Sequence, residues 1–187
     1  HAADLKRCIT SILEKSTYEN YEIVIVENGS ETKEIFDYYT SLKEYDNIRV
    51  VIYEKPEGQN GFNYSAVNNS GGKQTKGDYI LLLNNDTEVI TVNWMEELLM
   101  YAQREDVGAA GAKLYYGNKT IQHAGVVLQL GAHRTAGHSH YGQSRENLGY
   151  MGRLCYAQNV SAVTGACLLV KKSLFEEVGG LDESFAI

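Results

Sequence analysis

Residues 78–89, DYILLLNNDTEV, constrain this chain more than any other stretch. Tyr79 to Leu83 is an unbroken apolar run that follows the turn residues Lys76-Gly77-Asp78. A run this short suits a strand covered on both faces better than a buried helix. It stops abruptly at Asn84-Asn85-Asp86-Thr87-Glu88, where every side chain carries oxygen. A covered parallel strand ending in a carboxylate delivers that group where open α/β sheets bind ligands. Such oxygens suit a hard cation with a diphosphate, because Mg²⁺ prefers one or two carboxylates together with phosphate oxygens. A plain polar turn would use the same residue types. By itself the stretch leaves both readings open.

The rest of the chain alternates strand and helix patterns. Leu5, Cys8, Ile9, Ile12 and Leu13 form one helical stripe, with Asp4 placed to cap it. Residues 21–27 (YEIVIVE) read as a buried strand, followed by the turn Asn28-Gly29-Ser30 and a helix carrying Ile35, Tyr39 and Leu42 on one face. Residues 48–53 give the next strand, and 62–69 a short helix stopped by Gly71-Gly72. After the central stretch, Asn93 and Glu96 form a capping box for a helix with Trp94, Leu98, Leu99 and Ala102. Strands are expected over 107–116, 120–130 and 161–171, with a long loop over 131–152. Ser173-x-x-Glu176 opens a last helix ended by Gly179-Gly180. The alternation predicts an α/β fold with a mostly parallel, doubly wound sheet and helices on both faces.

Bulk properties narrow the function. The 187 residues are 43% hydrophobic and 22% charged, the composition of one globular domain. A net charge of −7 argues against a nucleic-acid partner. Cys8, Cys155 and Cys167 lack metal-type spacing and read as reduced thiols of a cytoplasmic protein. No transmembrane segment is visible, since residues 160–170 are too short and too broken to span a bilayer. Competing nucleotide folds lack their signatures. No Gly-x-Gly-x-x-Gly follows a strand, and Gly72-Lys73-Gln74 has no hydroxyl for Mg²⁺.

Four blocks carry a resemblance. They are Glu27-Asn28-Gly29-Ser30, then Asn60-Gly61-Phe62 with Asn68, then residues 81–89, then residues 162–170 with Phe175 and residues 178–183. Together they resemble glycosyltransferase family 2, the GT-A nucleotide-sugar transferases, in a branch similar to bacterial rhamnosyltransferases. The resemblance implies a single GT-A domain over 1–187, with a nucleotide-binding part to about residue 90 and an acceptor-side part beyond it. It implies an inverting transferase of hexosyl type that moves a sugar from a nucleotide diphosphate sugar to a hydroxyl on a glycan, lipid-linked glycan or glycoprotein. The alternative is a GT-A-like module that holds nucleotide sugar or a partner chain without turnover.

The resemblance also implies roles for particular residues. Asp86 matches the aspartate that coordinates the divalent cation, Mn²⁺ or Mg²⁺, with Asn84 standing where the first aspartate usually is and Asn85 between them. Glu27 matches the acid that meets the nucleotide base, and Asn60 and Asn68 match positions near the nucleotide. Thr164, Gly165 and Ala166 match the small-residue segment beside the donor sugar. The usual base would lie beyond Ile187, leaving Asp182 and Glu183 as weak candidates. A chain that opens inside a helical pattern and stops short of that base is expected to be truncated at both ends. His133, His138 and His140 could chelate a metal or meet the acceptor, and His123 has no assigned role. The setting implied is the cytoplasm, peripheral at the inner face of a bacterial membrane, and an oligomer is left open.

Overall fold

The computed structural model describes residues 2–59, 61–130 and 134–185. Helix α1 (Ala2–Lys15) buries the stripe Leu5, Cys8, Ile9 and Ile12. Strand β1 (Ile23–Glu27), helix α2 (Lys33–Ser41) and strand β2 (Ile48–Ile52) follow. β1 and β2 pair in parallel, from Ile23 opposite Ile48 to Glu27 opposite Ile52. A parallel pair needs a crossover, and α2 supplies it. Leu5 and Ile9 of α1, with Ile35 and Leu42, close over Ile25 and Ile48 as one apolar cluster.

Helix α3 (Tyr64–Gln74) begins at Asn63, whose side chain accepts from the Ala66 N–H at 3.0 Å. The expected stop at Gly71-Gly72 is corrected: α3 runs through both glycines, and both are buried. A Cβ on Gly71 would sit 2.7 Å from Val26 Cγ2, and one on Gly72 3.1 Å from the Phe175 ring. The glycines thin the helix where it lies on the sheet, and close approach rather than termination explains them.

Strand β3 (Tyr79–Leu83) is covered on both faces, as its apolar run requires. Helix α4 (Trp94–Ala102) places Leu98 and Ala102 against Ala110, Cys167 and Leu169, with Leu81 and Leu83 alongside. Helix α5 (Lys172–Glu177) places Phe175 on Ile80, Leu82 and Val170. β3 pairs antiparallel with a late strand, β9 (Cys167–Lys171), whose other edge takes β4 (Ala109–Gly111), also antiparallel. The fold is therefore α/β with helices on both faces, and its sheets are mixed rather than mostly parallel. Between β4 and β9 the chain makes two small hairpins. β5 (Leu114–Tyr115) pairs with β6 (Ile121–His123), and β7 (Val126–Leu128) with β8 (Ala136–His138).

Other local expectations are revised. The strand expected over 120–130 breaks at Gly125, whose φ of +99° turns the chain and whose Cα packs on Val160. That expected over 107–116 divides into β4 and β5, and the strand over 161–171 is regular only from Cys167. The span 131–152 is no plain loop, since it holds β8. Asp4 lies inside the first turn of α1 and accepts from Arg7. Asn93 and Glu96 form no capping box: Asn93 donates to Glu97 at 3.0 Å, while Glu96 accepts from the Thr17 hydroxyl at 2.7 Å. Ser173 lies within α5, whose N-cap is Lys171. Gly179 and Gly180, both at φ +81°, do close α5, and the Gly180 N–H reaches the Phe175 carbonyl at 2.8 Å.

Candidate functional site

No ladder among the described residues joins β1 to β3. A cleft of about 1840 Å³ opens between them, walled by Val24 and Val26 on one side and Leu81 and Leu83 on the other. Ligand sites usually occupy about 300–1,000 Å³, so only part of this space is ligand-sized. One polar part of its lining lies at the C-terminal ends of β1 and β3. Glu27 to Ser30 arrive from β1, Asn84, Asn85 and Asp86 from β3, and Tyr64 and Asn68 from α3.

The residues after β3 form a tight turn. The Thr87 hydroxyl donates to the Asn84 carbonyl at 2.9 Å, which leaves Asn85 and Asp86 exposed at the corner. The Asp86 carboxylate accepts no hydrogen bond from the described residues. Helix α1 holds the turn in place. Ser11 Oγ accepts from the Val89 N–H at 3.0 Å, and Lys15 Nζ donates to the Val89 carbonyl at 2.8 Å and to Glu88 at 2.9 Å. Cys8 Sγ lies 3.5 Å from Thr87 Oγ1, and burial pushes its thiol up. From the other side, the Asn84 N–H donates to the Ala166 carbonyl at 3.0 Å. An unengaged carboxylate beside amide oxygens fits a hard cation such as Mg²⁺ or Mn²⁺ that takes its other ligands from phosphate and water. No cluster of three His, Cys, Asp or Glu occurs among the described residues.

The family model for glycosyl transferase family 2 matches residues 2–179. The chain belongs to that family. It is 43% identical over 185 residues to the uncharacterized protein y4gI of Sinorhizobium fredii. It is 36% identical over 184 residues to the O-antigen biosynthesis protein RfbC of Myxococcus xanthus. Each match takes in 98% of this chain but only 20% and 14%, respectively, of the relative's length. The glycosyltransferase GlyG of Streptococcus pneumoniae is 29% identical over 113 residues, 59% of this chain and 35% of that protein. The α/β core, with its mixed pairing, is that of a GT-A domain in this family.

The expected family residues fall into three groups. Asn84, Asn85, Asp86, Asn68 and Glu27 all line the cleft. Asn68 donates to the Tyr64 carbonyl at 2.8 Å within α3, which leaves its amide oxygen unengaged. Glu27 is 7% exposed and already occupied: Ser30 N–H binds Oε1, while Ser30 Oγ at 2.8 Å and Tyr39 O–H bind Oε2. Burial pushes its carboxyl up, but these donors outweigh that and hold it below the usual range. A carboxylate offers about four acceptor sites, so one remains. The second group, Thr164, Gly165 and Ala166, lies behind the wall. Gly165 accepts from the Tyr64 hydroxyl at 2.8 Å, and a Cβ there would meet that oxygen at 2.5 Å. Tyr64 thus stands between this segment and the cleft, and the preceding Asn63 cap is the only sequence signal that places it.

The third group does not reach the site. Asp182 is an exposed turn acid that accepts from the Ser184 N–H at 2.9 Å, and the Ser184 hydroxyl together with that N–H lowers its pKa. Glu183 accepts from Asn69 Nδ2 at 2.8 Å, and its carbonyl accepts from Asn63 at 2.8 Å. Neither lines the cleft. Asn60 and His133 lie outside the described residues. His138 and His140 share no metal geometry: His138 faces His123, and His140 Nδ1 meets Ser139 Oγ at 2.6 Å. No helix among the described residues is long and apolar enough to cross a membrane.

Proposed function

We propose that this chain carries the donor-binding centre of an inverting, metal-dependent hexosyltransferase. It moves a sugar from a nucleotide diphosphate sugar to a hydroxyl of a growing surface polysaccharide. The observation that carries this is the Asp86 carboxylate, which accepts no hydrogen bond from the described residues, on a turn held from two sides beside the cleft. The named relative in O-antigen biosynthesis supports the polysaccharide context.

In this reading Asp86, with Asn84 and Asn85, would hold the cation, which supplies charge neutralisation for the departing diphosphate. The turn's two-sided anchoring keeps Asp86 in place before donor arrives, so little reorganisation is needed when charge develops. Glu27, fixed by Ser30 and Tyr39, sets the conformation of the turn after β1 and offers its remaining acceptor site to the base. Tyr64 closes the cleft toward Thr164–Ala166. The acceptor oxygen bonds to C1 as the bond from C1 to the diphosphate breaks on the opposite face, and the hydroxyl proton passes to a base; Asp182 and Glu183 are engaged in structural bonds and do not line the cleft.

A panel of nucleotide diphosphate sugars incubated with the protein in Mg²⁺, in Mn²⁺ and in EDTA tests this. Release of nucleoside diphosphate from at least one donor, in metal only, is expected. Donor binding without release in either metal would favour the alternative module that holds nucleotide sugar without turnover.

A further inference from the structure

His123 and His138 make a contact that the donor cleft does not use. His123 is 1% exposed on β6, and His138 lies on β8 with its ring exposed. Their Nδ1 atoms are 2.8 Å apart with the rings at 82°. Such a pair needs one proton between the two nitrogens, and the surroundings decide which ring carries it. His123 Nε2 faces two backbone donors, Gly125 N–H at 3.3 Å and Thr164 N–H at 3.4 Å. That nitrogen must accept, so neutral His123 carries its proton on Nδ1 and donates to His138 Nδ1. His138 is left with one N–H, at Nε2, on the side of its ring away from His123.

In this arrangement His138 Nδ1 accepts, and moving the His123 proton to Nε2 would set it against two backbone N–H groups. Burial and the His138 ring push His123 down to about 4, in keeping with a ring held neutral.

Beside His138 stands an aromatic pair. The Tyr141 ring centroid is 6.4 Å from that of His138, and Tyr116 donates its hydroxyl to the Tyr141 hydroxyl at 3.2 Å. Tyr141 is 61% exposed. We infer that His138 and Tyr141 form a binding site for a neutral pyranose ring of the acceptor glycan. The ring's C–H face lies on Tyr141 and one of its hydroxyls accepts from His138 Nε2–H, while His123 is the positioning residue. This rests on the transfer reading above. An exposed aromatic face with one fixed polar group is the pattern of an orienting ligand site. Through Thr164 the pair also touches the segment whose Ala166 carbonyl holds Asn84, so acceptor and donor sites share one backbone segment.

The test is long-range ¹H–¹⁵N correlation of the imidazoles in the whole chain. Without ligand at pH 8, His123 is expected as the Nδ1–H tautomer and His138 as the Nε2–H tautomer. Methyl hexopyranosides and methyl 6-deoxyhexopyranosides are then titrated in. At least one should move both the His138 Nε2–H and the Tyr141 ring signals. His138→Phe should weaken that sugar about tenfold, the scale of one lost hydrogen bond, and His138→Gln should recover part of the loss. His123 found as the Nε2–H tautomer, or His138 and Tyr141 signals that no pyranoside moves, would overturn the site. Nucleoside diphosphate binding with Mg²⁺, measured on the same sample, separates the two proposals. Silent sugar signals with nucleotide binding intact remove only this site. Sugar shifts without nucleotide binding remove the transfer reading and leave the sugar site standing.

Discussion

The half of the chain before Ala102 and the excursion over residues 109–160 are built on different principles. The first half sets four of the five helices against three five-residue strands, and its polar site collects where two strand ends meet. The excursion has strands of two or three residues, and its interior centres on Ile121 and His123, the two largest fully buried side chains. Charge divides the same way. Residues 109–160 hold one acid, Glu146, against five Lys and Arg, while the rest of the chain holds 23 acids against 12. In the function proposed above, the acidic half binds a diphosphate through a cation at Asp86, while the basic excursion carries its ligand chemistry on the His138 and Tyr141 rings.

The largest effect should come from removing the recruited charge. Asp86→Ala is expected to abolish the metal-dependent part of nucleotide binding and to lower transfer by about 10²–10³-fold, the scale of one lost electrostatic stabiliser. Asp86 is exposed and accepts no hydrogen bond from the described residues, so the melting temperature should not move. Calorimetry with Mg²⁺ and with EDTA reads the binding. Equal affinity in EDTA for the wild type would end the contrast between the two halves.

Next comes the boundary between them. Gly165→Ala would place a Cβ 2.5 Å from the Tyr64 hydroxyl, an overpacking that typically costs about 1–3 kcal/mol. Adding Tyr64→Phe removes the clashing oxygen and should restore part of that stability in a denaturant melt. Fully additive losses would mean that the two residues do not share the wall.

The first half was readable because its periods are plain. Tyr79 to Leu83 could only be covered on both faces, and the stripe from Leu5 to Ile12 had one helical solution. Errors arose where one residue type serves two purposes. Gly71 and Gly72 read as a stop but permit contact with Val26 and Phe175, information that belongs to β1 and α5 rather than to α3. Asn93, Glu96 and Ser173 have cap spacing, yet tertiary partners such as Thr17 claim the side chains first. That Asp86 and Asn68 line the cleft agrees with their motif position. That Glu27 would be filled by Tyr39 and Ser30 was not, since Tyr39 is twelve residues away. His123 alternates inward with Ile121, a pattern that marks a buried histidine, but its partners at Thr164 and His138 are set by topology alone.

Glu27 sharpens the comparison through pH. Its folded pKa lies below its usual value of 4.5, so its stabilisation is complete above that pH and fades as pH falls toward the folded pKa. Glu27→Gln should cost about 1–2 kcal/mol at pH 7, since a charge-assisted acceptor is lost, and should flatten the acid limb of a stability-versus-pH curve. An unchanged acid limb would move the loss to other carboxylates, such as Glu22, which Arg49 and the Lys76 N–H hold low against burial.

The smallest effect concerns what holds the metal turn. Among the contacts by which α1 grips it are an exposed ion pair, Lys15 to Glu88, and a buried hydroxyl, Ser11 Oγ, that accepts from the Val89 N–H. Exposed ion pairs are screened by water and salt and often contribute nothing measurable. A buried N–H without its acceptor carries a desolvation cost that water cannot relieve. Glu88→Gln is therefore expected to leave both the melting curve and metal-dependent nucleotide affinity unchanged. Ser11→Ala should cost about 1 kcal/mol and weaken nucleotide binding in Mg²⁺ but not in EDTA, because it loosens only the turn that presents Asp86. Were Glu88→Gln to lower metal-dependent affinity while Ser11→Ala did not, charge rather than burial would be fixing the turn. The site would then be organised by exposed electrostatics and would weaken steeply with added salt.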